Sequence, residues 1–206
     1  MKKLGILLSG RGSNFEALAD SIATGLIPET EIAVVISNKP DARGLATAQR
    51  RGMKAICIPS KGVPREEHDR LLIAELEAEG VDLVCLAGYM RLLSPAFIRA
   101  FSHRILNIHP SLLPAFPGLD AQKQAFDYGV KISGCTVHFV DEFLDHGAII
   151  VQKTVLVLPD DDDHTLASRI LEQEHVAYTE AINIVLEGNY EISERRVTLN
   201  ANRVMK

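Results

Sequence analysis

Asn107 and His109 are two polar residues that end the apolar run at 104–109. If the run is a β-strand, its side chains alternate, and these two share one face at a spacing of about 7 Å. An asparagine amide donates a neutral hydrogen bond. A histidine acts as an acid near neutral pH or, when protonated, stabilises an oxyanion. Taken singly, a histidine at a strand end is more often structural, but the position at the binding crevice and the proline-rich loop after it make the two interpretations equal.

An acidic histidine needs a carboxylate nearby, because the negative charge stabilises the imidazolium and orients the ring. The loop at 141–147 is acidic, and Asp145 is its nearest plausible carboxylate for reaching the same strand ends. Asp141 and Glu142 compete for this role. An exposed loop acid is the plain alternative for all three, so the spacing leaves the choice open.

The segment 9–14, Ser-Gly-Arg-Gly-Ser-Asn, lies between an apolar run and a helical pattern. Glycines let backbone N–H groups approach an anion, and a helix N-terminus favours negative charge, which predicts a phosphate site. A buried strand entering a helix also needs glycine and a capping residue, so both interpretations have equal weight. A dinucleotide site is not indicated, because Phe15 replaces the third glycine and Ser37 and Asn38 replace the acidic residue. A phosphomonoester fits better.

We predict no metal and no covalent intermediate. The seven histidines include no His-x-x-x-His spacing, and a Gly-x-Ser-x-Gly elbow is absent. The acidic run at 160–163 favours a solvated helix start over a metal site. Acid–base and electrostatic catalysis on a small anionic substrate is the chemistry that remains.

Composition bounds the class of protein. The chain has 206 residues, 47% of them hydrophobic and 24% charged, which predicts one ordinary folded domain over 1–206. The net charge of −5 argues against a nucleic-acid partner held through phosphates. The three cysteines lack Cys-x-x-Cys spacing and lie in apolar runs, which predicts buried free thiols in a reducing compartment. No membrane span or signal peptide is indicated, so we expect a cytoplasmic protein.

The order of elements predicts how these residues are positioned. Short apolar runs at 4–8, 31–36, 54–58 and 82–87 alternate with helical patterns at 14–24, 42–51 and 65–79. This order predicts an α/β fold with an open, mostly parallel, doubly wound (Rossmann-like) sheet. Two longer runs at 130–140 and 148–158 predict an antiparallel hairpin, followed by a helix at about 164–188. Proline punctuates the loop after 109, as is typical of a functional loop.

Taken together, the motifs resemble those of the folate-dependent formyltransferases, and within them the branch that formylates glycinamide ribonucleotide in purine biosynthesis. The segments that carry the resemblance occur in the family's order: Ser-Gly-x-Gly-Ser-Asn at 9–14, Ala-Gly-Tyr-Met-Arg-Leu-Leu-Ser-Pro at 87–95, Leu-Asn-Ile-His-Pro-Ser-Leu-Leu-Pro at 106–114, Pro-Gly-Leu at 117–119, Gly-Cys-Thr-Val-His-Phe-Val at 134–140, Leu-Asp at 144–145 and Glu-His-x-x-Tyr at 174–178. The segment at 106–114 is highly specific. The resemblance covers nearly the whole chain and departs locally at Thr179.

The resemblance implies roles for individual residues. It makes His109, Asn107 and Asp145 the catalytic group. It implies that the substrate's phosphate binds at Gly12, Ser13 and Asn14 and its ribose hydroxyls at Glu174. For the co-substrate 10-formyltetrahydrofolate it implies a lining of Arg65, Met90, Arg91, Leu92, Leu93, Asn107, Val140, Asp141, Glu142 and Leu144. The halves would then be a phosphate-binding half at 1–100 and a catalytic and folate-binding half at 101–206.

Other activities of the same family stay open at this point. A nucleotide-sugar formyltransferase shares the Asn-His-Asp group but binds a larger phosphorylated partner. A phosphate-binding module needs no Asn-x-His pair. Methionyl-tRNA formyltransferase and formyltetrahydrofolate deformylase carry further domains, for which we expect no counterpart here. We expect small-molecule partners and a monomer or homodimer.

Overall fold

The computed structural model describes residues 1–200 and divides the chain into two compact units. The first unit is Met1–Asn107 and the second begins at Ile108, so the boundary falls within a strand. The single domain and the two halves at 1–100 and 101–206 stay predictions, and residues 201–206 lie outside the described part.

The first unit alternates strands and helices, as predicted. Its elements are β1 Lys2–Leu8, α1 Ser13–Ala23, β2 Thr30–Ser37, α2 Arg43–Arg50, β3 Ala55–Cys57, α3 Arg65–Ala78, β4 Leu83–Leu86, α4 Pro95–Ala100 and β5 Ile105–His109, whose last two residues belong to the second unit. The strands lie in the order β3-β2-β1-β4-β5, and each pair is parallel. Non-consecutive neighbours in this order are the mark of a doubly wound fold.

The central strand β1 shows why this part of the chain forms a parallel sheet. Leu4, Ile6, Leu7 and Leu8 have no exposed surface, so the strand is apolar on both faces. Gly5 completes the packing, because a Cβ there would lie 2.5 Å from the Leu76 side chain of α3. Helices therefore cover the sheet closely.

The strands of the second unit pair in both parallel and antiparallel directions, which confirms the expected antiparallel C-terminal part. Its further elements are α5 Ala121–Tyr128, β6 Ile132–Phe139, β7 Ile149–Leu156, α6 Asp163–Glu187, β8 Tyr190–Ser193 and β9 Arg196–Leu199. The strands lie in the order β6-β7-β9-β8, with β6–β7 and β8–β9 antiparallel and β7–β9 parallel. Helix α6 packs on β6 and β7 through apolar residues at helical spacing, among them Leu166, Ile170, Ala177 and Ala181.

Four short elements were not predicted: α4, α5, β8 and β9. Helix α4 has only six residues and starts behind Ser94, whose hydroxyl accepts from the Phe97 N–H. Strands β8 and β9 have four residues each and are largely exposed. Such elements are too short to show a period in the sequence.

The cysteines are free thiols. Cys85 and Cys135 are buried, whereas Cys57 is only half-buried. Burial, followed by the nearby charge of Glu174, raises the pKa of Cys135 to about 12, so this thiol stays protonated at neutral pH. Separately, none of the helices within residues 1–200 combines the length and the apolar character that a membrane span requires.

Candidate functional site

His109 ends β5 and is 4% exposed. Its Nε2 lies 2.8 Å from the backbone oxygen of Phe116, in the proline-rich loop that follows. A carbonyl oxygen can only accept, so Nε2 carries a proton and donates it to Phe116. The loop after the strand therefore fixes one edge of the imidazole ring.

Asp145 faces the other edge of the same ring. Its Oδ2 lies 3.4 Å from Nδ1 of His109 and accepts the Gly118 N–H at 2.8 Å. A carbonyl at one nitrogen and a carboxylate at the other match the two N–H groups of an imidazolium. The contact to Asp145 is of ion-pair length and longer than an ordinary hydrogen bond, so an Nδ1–H can also turn to a third acceptor. The contact between His109 and Asp145 was a hypothesis of the sequence analysis, and the structure contains it.

The competing carboxylates lie elsewhere in the loop. Asp141 accepts from Nδ1 of His146 at 2.7 Å and from the Phe143 N–H at 2.9 Å, so its carboxylate folds the loop. Glu142 is exposed. Among the three acids weighed from the sequence, Asp145 is the one in an ion pair with His109.

His138 is a neighbour of this pair that the sequence reasoning missed. It lies on β6, is 2% exposed, and its Nε2 is 3.9 Å from Oδ1 of Asp145. Its Nδ1–H donates to the Phe139 oxygen at 2.7 Å. Burial lowers the pKa of His138 and keeps the ring neutral at neutral pH. Its position in the motif at 134–140 was the available signal.

Asn107 lies two residues before His109 on β5 and is half-buried. Residues two apart on a strand point to the same face, as predicted. An amide donor and an imidazolium on one face form a pair that can bind a single oxygen atom carrying negative charge.

The glycine loop of the first unit has the geometry of a close backbone turn. Gly12 is left-handed (φ 83°) and is the N-cap of α1, which has no side-chain cap. A Cβ on Gly12 would lie 2.9 Å from the Gly44 Cα, so only glycine fits here. Ser9 ties the loop to its surroundings, because its hydroxyl donates to Asn38 at 2.6 Å and accepts from the Met90 N–H at 2.8 Å.

A basic pocket of about 470 Å³ adjoins this loop. Its lining combines Ser13 and Glu16 of α1, Arg11 of the loop, and four residues of α2: Arg43, Ala46, Thr47 and Arg50. Within residues 1–200, Arg11 and Arg43 form no ion pair, and Arg50 donates to the Thr47 hydroxyl at 2.8 Å. The sequence reasoning missed these arginines, because α2 lies about thirty residues downstream of the loop that it contacts.

The segment 90–93 of the first unit combines exposed and anchored side chains. Met90 and Leu92 are 61% and 57% exposed. Arg91 donates to the oxygens of Ser60 and Val63, both at 2.8 Å, which holds its guanidinium in place. The other two predicted folate residues of this unit are Leu93, which is half-buried, and Arg65, which is exposed at the start of α3.

The remaining predicted residues lie in the second unit. Val140 is half-buried and Leu144 is exposed, next to the 69%-exposed Phe143 at the loop tip. Glu174 is 6% exposed on α6. A carboxylate at this depth needs polar partners, because burial of an unpaired charge costs several kcal/mol. Among the predicted ligand-binding residues of this unit, Glu174 is the deepest.

Comparisons with known proteins agree on a family. The Formyl transferase family matches residues 2–182. The phosphoribosylglycinamide formyltransferase of Escherichia coli (strain K12) is 40% identical over 200 residues, which cover 97% of this chain and 94% of that protein. The crystal structure of glycinamide ribonucleotide transformylase 1 from Symbiobacterium toebii has a TM-score of 0.94 at 50% identity, covering 97% of this chain and 94% of that one.

A longer relative matches as well. The trifunctional purine biosynthetic protein adenosine-3 of Drosophila melanogaster is 48% identical over 196 residues. The match covers 93% of this chain but only 14% of the Drosophila protein. The motifs, the fold and these matches coincide over the same residues, and the chain belongs to the formyl transferase family.

Proposed function

We propose that this chain transfers the formyl group of 10-formyltetrahydrofolate to the amine of 5'-phosphoribosylglycinamide. The products are formylglycinamide ribonucleotide and tetrahydrofolate, a step of de novo purine biosynthesis. The observation that carries the proposal is the ion pair of His109 with Asp145, held between the Phe116 carbonyl and the Gly118 N–H. When the ring is protonated, this pair provides a positive charge and an N–H that a new oxyanion can share.

The reaction needs that charge. When the amine attacks the formyl carbon, the formyl oxygen becomes an oxyanion in a tetrahedral intermediate. The amide N–H of Asn107 and the Nδ1–H of His109 stabilise this oxygen, since both side chains share a face of β5. Nε2 stays bound to Phe116, so the ring holds its orientation, and the Nδ1–H, 3.4 Å from Asp145, is shared with the new charge.

Asp145 has the role of a counter-charge. Its carboxylate balances the imidazolium before the oxyanion forms, and the Gly118 N–H keeps it in place. A proton must also pass from the attacking amine to the departing folate nitrogen. A water molecule ordered by Asp145 is our proposed relay for that transfer.

The phosphate of the ribonucleotide binds, in this proposal, at the backbone N–H groups of Gly12, Ser13 and Asn14. The left-handed Gly12 and the start of α1, which has no side-chain cap, support this, because a helix N-terminus and its dipole favour an anion. Arg11 and Arg43 add positive charge beside Ser13. Glu174 is assigned to the ribose hydroxyls.

The folate binds, in the same proposal, to the predicted residues of the two segments 90–93 and 140–144 together with Arg65. The exposed Met90, Leu92 and Leu144 support this assignment, since large exposed apolar side chains mark contact surfaces. The cytoplasm remains the proposed location, and monomer or homodimer the proposed state.

The test is release of tetrahydrofolate from 10-formyltetrahydrofolate by the purified protein. Release that requires glycinamide ribonucleotide, together with formylation of its amine detected by mass spectrometry, is the expected result. Release with water alone would indicate a deformylase. Release only with an amino-sugar nucleotide would indicate the nucleotide-sugar branch.

A further inference from the structure

Thr136 is a fully buried residue of β6 whose hydroxyl uses every hydrogen-bonding position that it has. It donates to the Ser111 oxygen at 2.7 Å and accepts from the Leu113 N–H at 3.0 Å. Its second lone pair accepts from Nε2 of Gln152 at 2.9 Å. A hydroxyl has one donor and two acceptor positions, so the Thr136 oxygen is saturated.

Gln152 completes this cluster from the neighbouring strand. It is the cross-strand partner of Thr136 in β7, and its Nε2 also donates to the Leu113 oxygen at 3.0 Å. The backbone of Leu113 is therefore bound at both its N–H and its carbonyl. Two strands of the second unit hold the start of the loop that follows His109.

The same loop reaches back to the imidazole of His109. The Ser111 hydroxyl donates to the Ala115 oxygen at 2.5 Å and lies 3.3 Å from the Phe116 oxygen. That Phe116 oxygen is the one that accepts the Nε2–H of His109. Ser111 thus links Thr136 to the ring: its backbone oxygen accepts from Thr136, and its hydroxyl binds the Ala115–Phe116 segment that accepts the Nε2–H.

We propose that Thr136, supported by Gln152, is a positioning residue that fixes the orientation of the His109 ring through the loop at 110–118. The predicted effect on catalysis rests on the proposed function, whereas the positioning of the His109 ring does not. With the Phe116 carbonyl held in place, the Nε2 proton is fixed and Nδ1 is directed to Asp145. If the loop relaxes, the ring can turn and Nδ1 no longer points to a developing oxyanion.

The burial of Thr136 favours a directing role. A valine has nearly the shape of threonine and would fill the same space without any polar atom to satisfy. A buried polar network is costly unless every member is bonded, and it then holds one arrangement of the chain. Here that arrangement is the loop conformation that delivers a carbonyl to His109.

The test compares Thr136→Val with Thr136→Ser and with the control Ser133→Ala. Ser133 is a buried hydroxyl of the same strand, 3% exposed, without a hydrogen bond to the loop. The first measurement is the ¹⁵N–¹H spectrum of the His109 imidazole in the ligand-free protein. We expect a slowly exchanging Nε2–H in the native chain, its loss in Thr136→Val, and its retention in Thr136→Ser and Ser133→Ala.

The second measurement is steady-state kinetics. We expect kcat to fall about tenfold or more in Thr136→Val, with both KM values within twofold, and to recover in Thr136→Ser. A merely structural threonine would lower the melting temperature without changing the His109 signals, and that result would overturn the proposal. A kcat loss with unchanged His109 signals would overturn it as well.

Gln152→Met provides a second route if Thr136→Val fails to fold. Gln152 is exposed, so its replacement spares the core while removing both of its bonds to the cluster. We expect faster exchange of the His109 Nε2–H in this variant, and an unchanged exchange rate would contradict the proposal. Because the spectra need no substrate, they decide the positioning role even if the formyl transfer assay fails.

Discussion

The two parts of the proposed site are built in different ways. The glycine loop of the first unit, where we propose that the phosphate binds, is built from backbone: a left-handed Gly12 lies against Gly44 at the start of α1. The His109–Asp145 pair of the second unit is made of side chains, each held by a further backbone group. A backbone site changes little when one side chain is replaced, whereas a side-chain site loses its chemistry with one atom. Substitutions should therefore have unequal effects in the two regions.

The largest expected effect is that of Asp145→Asn. The amide keeps the shape of the carboxylate but removes the counter-charge of His109, so we expect kcat to fall by about 10²- to 10⁴-fold. Both KM values should change little. Asp127→Asn is the matched control, because Asp127 is an exposed acid of the same unit, bonded to Lys123. A nearly native kcat in Asp145→Asn would contradict the expectation that the side-chain region is the more sensitive of the two.

A smaller effect is expected from Arg43→Ala beside the glycine loop. One partly screened positive charge is worth about a fivefold change, so KM for the ribonucleotide should rise about fivefold, with KM for the folate unchanged. The difference should shrink as salt is added, because ions screen exposed charges. Arg70→Ala, an exposed arginine of α3, is the control. Equal changes in both KM values would refute the assignment of this pocket to the phosphate.

The smallest expected effect concerns how helices α1 and α6 are capped at their N-termini. Unlike α1, helix α6 has a side-chain capping box at its N-terminus. Asp162 accepts the Thr165 N–H at 2.7 Å, and the Thr165 hydroxyl accepts the Asp162 N–H at 2.9 Å. Asp162→Ala should lower the melting temperature by about 3 °C and leave both KM values unchanged. Asp160→Ala, in the same acidic run, is the control.

The difference in melting temperature between the native chain and Asp162→Ala should depend on pH in a defined direction. The hydrogen bond from the Thr165 N–H, followed by the contact with its side chain, holds the pKa of Asp162 below its ordinary value. Such a carboxylate stabilises the fold above its unfolded pKa of about 4, and the contribution is lost as the pH falls through the folded pKa. Melting curves of the native chain and Asp162→Ala should converge in acid. A difference that persists at pH 2 would contradict the cap.

The elements that the sequence predicted well are those with a strong local signal. Strands β1, β2 and β4 are continuous apolar runs, and the helix after the acidic run begins at Asp163, one residue from its predicted start. The short helix α4 was missed because six residues are too few to show a helical period. The register of β6 against β7 depends on pairing between distant residues, which no single segment encodes.

The site was predicted in the same uneven way. The shared face of Asn107 and His109 follows from strand alternation. The residues alone left Asp145, Asp141 and Glu142 open, and only the resemblance singled out Asp145; the folded loop shows Asp141 bonded to His146. The pocket arginine Arg43 could not be predicted, because only the fold brings α2 to the glycine loop. The catalytic and binding roles themselves stay predictions.

Gly147 has a consequence for how this chain can be re-engineered. A Cβ there would lie 1.9 Å from the Phe139 oxygen, and the Phe139 N–H donates to Ala148 at 2.9 Å, so the base of the loop is closed by backbone alone. Its tip at 142–144 is exposed and free of that constraint. A mutant library confined to the tip would alter the proposed folate surface without displacing Asp145. Directed evolution toward new formyl donors should therefore randomise 142–144 and keep Gly147 fixed.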